Sequence, residues 1–121
     1  MNTPENVTAL GENEILTFGS NCDGLHAGGA ARVAYERFGA VWGQGEGLQG
    51  DCYAIPTMEG FEALSAAVGR FLDYATAHPG LTFLVTKVGT GIAGYDVADV
   101  APLFVGHSPN VVLPSEFEVV S

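Results

Sequence analysis

Glu14-Ile15-Leu16-Thr17-Phe18-Gly19-Ser20, then Asn21-Cys22-Asp23-Gly24-Leu25-His26-Ala27-Gly28, then Gly29-Ala30-Ala31-Arg32-Val33-Ala34-Tyr35-Glu36-Arg37-Phe38, is the run that decides the fold. The first segment has the length of a buried strand, with Ile15, Leu16 and Phe18 at its centre. The second is rich in turn formers. In the third, Ala30, Val33, Ala34 and Phe38 recur at helical spacing on one face. Strand, turn and helix in this order begin a β-α-β unit.

The rest of the chain keeps the alternation. Gly39 to Gly50 carries too many glycines to predict a stable element. Asp51 to Ile55 reads as a short strand stopped by Pro56. From about Glu59 to His78, Phe61, Leu64, Ser65, Val68, Phe71, Leu72 and Ala75 mark one face of a helix. Thr57 is placed to cap its start, and Pro79-Gly80 ends it. Leu81 to Val88 is the most apolar strand, with Lys87 late in it. Gly89 to Tyr95 reads as a loop. Asp96 to Val105 reads as a helix, with Asp96 as cap and Asp99 in its first turn, where negative charge suits the dipole. Asn110 to Leu113 is a last short strand. This pattern predicts an α/β fold with a largely parallel central sheet, in which ligands sit outside the carboxyl ends of strands.

The length, 121 residues, suits one domain over 1–121. A composition 47% apolar and 15% charged predicts a globular chain. The formal net charge is −10, with four basic residues. A sequence-independent grip on nucleic acid needs many Lys and Arg, so no nucleic-acid backbone patch is expected. A small nucleotide held by backbone N–H groups needs no such cation. There is no apolar run of membrane-spanning length, about 18 residues, and Met1 to Gly11 has no secretory apolar region. Cys22 and Cys52 lack metal-ligand spacing, and with no export signal they are expected as reduced thiols in the cytoplasm. No cofactor and no metal are called for.

Glycine supplies 17 residues, about twice ordinary usage. Nine lie between Gly19 and Gly50, and three more are Gly89, Gly91 and Gly94. Two glycine-rich loops therefore each follow a strand and precede a helix: Asn21 to Gly29, and Gly89-Thr90-Gly91-Ile92-Ala93-Gly94. Successive N–H groups in such turns cradle anions, and a following helix adds its positive end. Gly89, Gly91 and Gly94 also spell the dinucleotide fingerprint, which makes a Rossmann-type NAD binder a rival. The acidic ribose partner would then fall near Glu116 or Glu118, beyond the last strand.

Three segments, in order, resemble macrodomains. Asn21, Leu25, Gly28 and Gly29 are similar to the Asn-centred segment and glycine run after an early strand. Gly45-Glu46-Gly47-Leu48-Gln49-Gly50-Asp51-Cys52-Tyr53-Ala54-Ile55-Pro56-Thr57 is similar to the Gly-Glu-Ala segment and its Tyr-x-Leu-Pro-Ala strand. Gly89-Thr90-Gly91-Ile92-Ala93-Gly94-Tyr95 matches Ser-Thr-Gly-Ile-x-Gly-Tyr with Gly in place of Ser. The chain also resembles a bacterial and phage group with the pattern FGSN…GQGxGLxG…YAIPT. The resemblance implies a three-layer α/β/α fold and an ADP-ribose cleft. Gly28, Gly29, Ala30 and Ala31 would line one side of the diphosphate and Gly89 to Gly94 the other. Tyr95 would flank the distal ribose. Apart from the resemblance, Glu46 is a local candidate to orient a ribose hydroxyl, with an exposed loop carboxylate as the alternative. Asn6 stands, as an amide, where the family uses an acid for adenine.

The resemblance leaves catalysis open. Of the Asn and Asp of one hydrolytic branch, Asn21 fits the first and Ala31 stands at the second. The Lys and Asp of another would fall near Met58 and Ala93. No Glu-Glu pair follows Gly28-Gly29, as a third requires. The local candidates are Asn21 to position the distal ribose or its water, and Asp23 or His26 as general base. Asp23 has an Asx-turn role as its alternative, and His26 that of an exposed loop residue. Cys22 is a weaker nucleophile candidate, because a reactive thiol needs an electropositive site. The classes that stay open are a hydrolase of ADP-ribosylated substrates, a non-enzymatic reader, sensor or sponge for such a nucleotide, and a phage or host protein of structural role. The oligomeric state is not legible.

Overall fold

In the computed structural model, which describes residues 2–4, 7–21, 23–26, 28–90 and 93–118, Glu14–Ser20 forms the central strand β1. It pairs in parallel with β3 (Cys52–Pro56) on one side and β4 (Thr82–Val85) on the other. Strand β2 (Gly47–Gln49) joins β3 antiparallel, and β5 (Val111–Val112) joins β4 in parallel. The order is β2-β3-β1-β4-β5. The expected α/β class with a mostly parallel sheet is thus observed.

Helix α1 (Gly29–Arg37) follows β1, and α2 (Phe61–Ala77) follows β3. After β4 come α3 (Val97–Val100) and a 3₁₀ turn, Ala101–Phe104. A short α4 (Ser115–Glu118) follows β5. Alternation along the strands sends side chains to two cores. Leu16, Phe18, Cys52 and Ala54 pack with Ala31, Ala34 and Phe38 of the α1 layer. Ile15, Tyr53, Ile55, Phe83 and Val85 pack with Leu64, Val68 and Phe71 of α2 and with Phe104 and Phe117. Because α1 buries only the small Ala31 and Ala34 along its length, it can lie close to β1.

Several sequence expectations are corrected. Gly47–Gln49 does form a strand, because β3 supplies its pairing: Gly47 faces Ala54 and Gln49 faces Cys52. Thr57 does not cap α2. Gly60 holds that position without a side-chain cap, and the Thr57 hydroxyl instead donates to the Ser20 carbonyl at 3.0 Å. Strand β4 stops at Val85, and the tight turn closed by Val88 N–H to the Thr86 carbonyl (2.7 Å) takes Lys87 off the sheet. The expected helix over Asp96 to Val105 breaks into α3 and the 3₁₀ turn, where Pro102 lacks an N–H. Asp96 holds the N-cap position without a side-chain cap. Among the described residues no helix is long and apolar enough to cross a membrane.

Candidate functional site

A cleft of about 840 Å³ opens where the four parallel strands end. Ser20 and Asn21 reach it from β1, Thr57 and Met58 from β3, Thr86 to Thr90 from β4, and Pro114 to Glu116 from β5. The start of α1, Gly28 to Ala31, forms one wall. The first bond of that helix runs from Arg32 N–H to the Gly28 carbonyl at 3.3 Å. The N–H groups of Gly29, Ala30 and Ala31 therefore have no partner inside the helix. No acidic residue lies in its first turn, so its positive end is not offset locally.

The first loop is organised by Asn21. Its Oδ1 accepts from the Leu25 N–H at 3.0 Å, and its Nδ2 donates to the Leu25 carbonyl at 3.2 Å. Asn21 thus ties the two ends of the turn together through both atoms of its amide. Asp23 is exposed and is not among the cleft-lining residues. His26 is fully buried, with Nδ1 at 3.0 Å from Ser20 Oγ and Nε2 at 2.8 Å from the Val41 carbonyl. It stands behind Ser20 rather than in the lining. Cys22 and Asn6 lie outside the described residues.

In the second loop, Gly89, Thr90 and Ala93 line the cleft. Gly89 has a φ of +79°, a left-handed conformation that suits glycine. Gly91 and Ile92 lie outside the described residues. Gly94 is exposed and Tyr95 half-buried, and neither lines the cleft. The Tyr95 N–H closes the loop on the Gly89 carbonyl at 2.9 Å, and its ring packs against Phe61 at 5.5 Å. Lys87, freed from the sheet, pairs with Glu116 at 3.5 Å, and both line the cleft. The Glu116 carboxyl is held below the usual carboxylate range by its own backbone N–H and by Lys87.

Glu46 is placed elsewhere. It holds Arg70 of α2 through two bonds, 2.6 Å to Nε and 2.8 Å to Nη2, and does not line the cleft. Cys52 is free and buried, and burial followed by the nearby Asp51 charge pushes its thiol up to about 12. Such a thiol is no nucleophile at neutral pH. Among the described residues, no group of His, Cys, Asp and Glu is arranged to hold a metal.

Sequence reasoning did not single out Ser20, Thr57, Pro114 or Ser115 as lining residues. The signal was available in one rule: each closely follows, or ends, a strand that runs toward the same edge. The charged side chains of the described lining are one cation, Lys87, and one carboxylate, Glu116, paired with each other. No family model, no curated protein and no solved structure matches this chain.

Proposed function

We propose that the chain is a macrodomain-type, three-layer α/β/α domain that binds ADP-ribose or a related ADP-ribosyl nucleotide without an added cofactor. The diphosphate would lie between the start of α1 and the Gly89 to Gly94 loop. One observation carries this reading: residues of both glycine-rich loops border a single cleft at the carboxyl ends of the parallel strands. Its volume is in the range of small-ligand sites, roughly 300–1,000 Å³. Backbone N–H groups at the start of α1 supply the attraction that an acidic protein otherwise lacks; Lys87 is shared with Glu116. A reader or sensor is favoured over a hydrolase built on the first loop's acid, because Asp23 is not in the cleft wall and the Asn21 amide is bonded on both sides to Leu25.

Calorimetry with ADP-ribose and AMP tests the reading. ADP-ribose should bind at least about tenfold more tightly, a difference of about 1.4 kcal/mol, because the two loops address two linked phosphates. Equal affinities, or none for either, would reject it.

A further inference from the structure

Ser20 ends β1 on the strand face that carries Leu16 and Phe18 toward α1. It is 5% exposed and lines the cleft. Its Oγ lies 3.0 Å from His26 Nδ1, and His26 Nε2 lies 2.8 Å from the Val41 carbonyl oxygen. A carbonyl can only accept, so Nε2 carries the proton. In the neutral imidazole Nδ1 is then bare, and the Ser20 hydroxyl donates to it. The ring is held between neighbours, with Phe18 at 5.3 Å and Trp42 at 6.3 Å between ring centres. The Ser20 main chain is fixed too: its carbonyl accepts from the Thr57 N–H at 2.8 Å and the Thr57 hydroxyl at 3.0 Å.

A buried histidine tied by a hydroxyl and a carbonyl is a sound packing solution, and that alone explains His26. It does not explain where the hydroxyl stands. Ser20 is in the wall of an open cleft, at the carboxyl end of the central strand, and the start of α1 lines the same cleft. Hydroxyl, base and a group that orients the base are the three parts of an activated nucleophile. The N–H groups of Gly29, Ala30 and Ala31, without partners inside the helix, belong to residues that line the same cleft as Ser20.

We infer that Ser20 is the nucleophile of an acyl-transfer site and His26 its base. The substrate class is an ester of a small carboxylic acid. Ser20 Oγ forms a bond to the ester carbonyl carbon as its proton passes to His26 Nδ1. The tetrahedral intermediate collapses by breaking the bond to the alcohol oxygen, which takes that proton from Nδ1. Water then attacks the acyl-Ser20 carbon, giving its proton to His26, and the carboxylic acid leaves as Ser20 Oγ is reprotonated. The site stands on the hydroxyl–imidazole geometry and does not depend on the nucleotide reading.

The test is covalent labelling of the whole chain with a short-chain alkyl fluorophosphonate, with the adduct mapped by peptide mass. The expected result is one adduct, at Ser20, that is lost in Ser20→Ala and lost when the protein is first unfolded. His26→Gln keeps a donor and an acceptor but takes up no proton, and it should label about 10²-fold more slowly or worse. Folded wild type that gives no adduct at Ser20 overturns the inference. So does a folded His26→Gln that labels at the wild-type rate. Should His26→Gln not fold, the wild-type adduct decides alone. Excess ADP-ribose separates the two readings: labelling that it slows joins them in one cleft, and Ser20 labelling that it leaves unchanged counts against the nucleotide alone.

Discussion

Gly24 and Gly50 differ from Gly28 and Gly29 in what stands before them. A Cβ on Gly24 would meet the Gln44 nitrogen and the Gly43 carbonyl carbon at 2.3 Å, and one on Gly50 would meet the Gly39 and Phe38 oxygens at 2.7 Å. A Cβ on Gly28 or Gly29 would meet nothing within 4 Å. The first pair is glycine because backbone presses on backbone within the protein. The second pair lines the cleft, and of the two only Gly29, at a φ of +60°, has a backbone conformation that calls for glycine. Glycine enrichment alone cannot separate these uses. The atoms in front of each residue show which glycines the packing requires, and the cleft lining then sets Gly28 and Gly29 apart from other open glycines such as Gly69 and Gly80.

The largest expected effect comes from closing the packed side. Gly24→Ala places a methyl group in the Gly43-Gln44 backbone at a φ of +68°, where side chains are strained in any case. It should cost about 3 kcal/mol or more and lower Tm by on the order of 10 °C. Chemical and thermal unfolding would measure it. A variant as stable as wild type would show that the two loops are not pressed together, and the comparison would lose its packed half.

The same contrast separates what was legible in the sequence. β1, α1 and α2 were read closely because their own residues carry the periodicity. Strand β2 was not: Gly47-Leu48-Gln49 has no strand signal of its own and is recruited by β3. β4 was read too long because Thr86, Lys87 and Val88 keep strand-like composition after the chain has turned away. At the site, the two glycine loops were visible as composition. The Ser20–His26 pair was not, since its contact depends on the path of the turn between them. Glu46 was assigned to a ligand because its partner, Arg70, is 24 residues away and no local pattern links them.

A second, smaller break comes from alkali. Cys52 lies under the packed region, with its Sγ donating to the Gln49 carbonyl at 3.0 Å. Folding raises this thiol from 9.0 to about 12, chiefly by burial and then through Asp51. Tyr53, next to it, is raised from 10.0 to about 12, by burial and then Glu46. Above about pH 9 the unfolded chain therefore gives up the Cys52 proton while the folded chain keeps it. Stability is full below that pH and falls as pH rises, by up to about 1.4 kcal/mol per pH unit for each group. Urea unfolding at pH 8, 9 and 10 should show the fall begin near pH 9, and Cys52→Ser should flatten it between 9 and 10. A stability that does not change from pH 8 to 10 would show that this thiol is not sealed by folding.

The smallest effect on stability, and the sharpest test of the open side, is Gly28→Val. Gly28 has φ −154° and ψ 164°, extended backbone that valine adopts freely. Its side chain would meet no protein atom within 4 Å of the new Cβ. Losing glycine at the helix cap costs about 1 kcal/mol at most, so Tm should move by only a few degrees. The new methyl groups would occupy cleft space beside the N–H groups of Gly29 to Ala31. ADP-ribose affinity should then fall tenfold or more, about 1.4 kcal/mol, with the fold unchanged by circular dichroism. The matched measurement on Gly24→Ala makes the comparison complete: one variant loses stability first, the other loses binding alone. Full binding by a folded Gly28→Val would mean that the space before Gly28 is not where the diphosphate lies, and the anion site would have to be sought at the Gly89 loop and Lys87 instead.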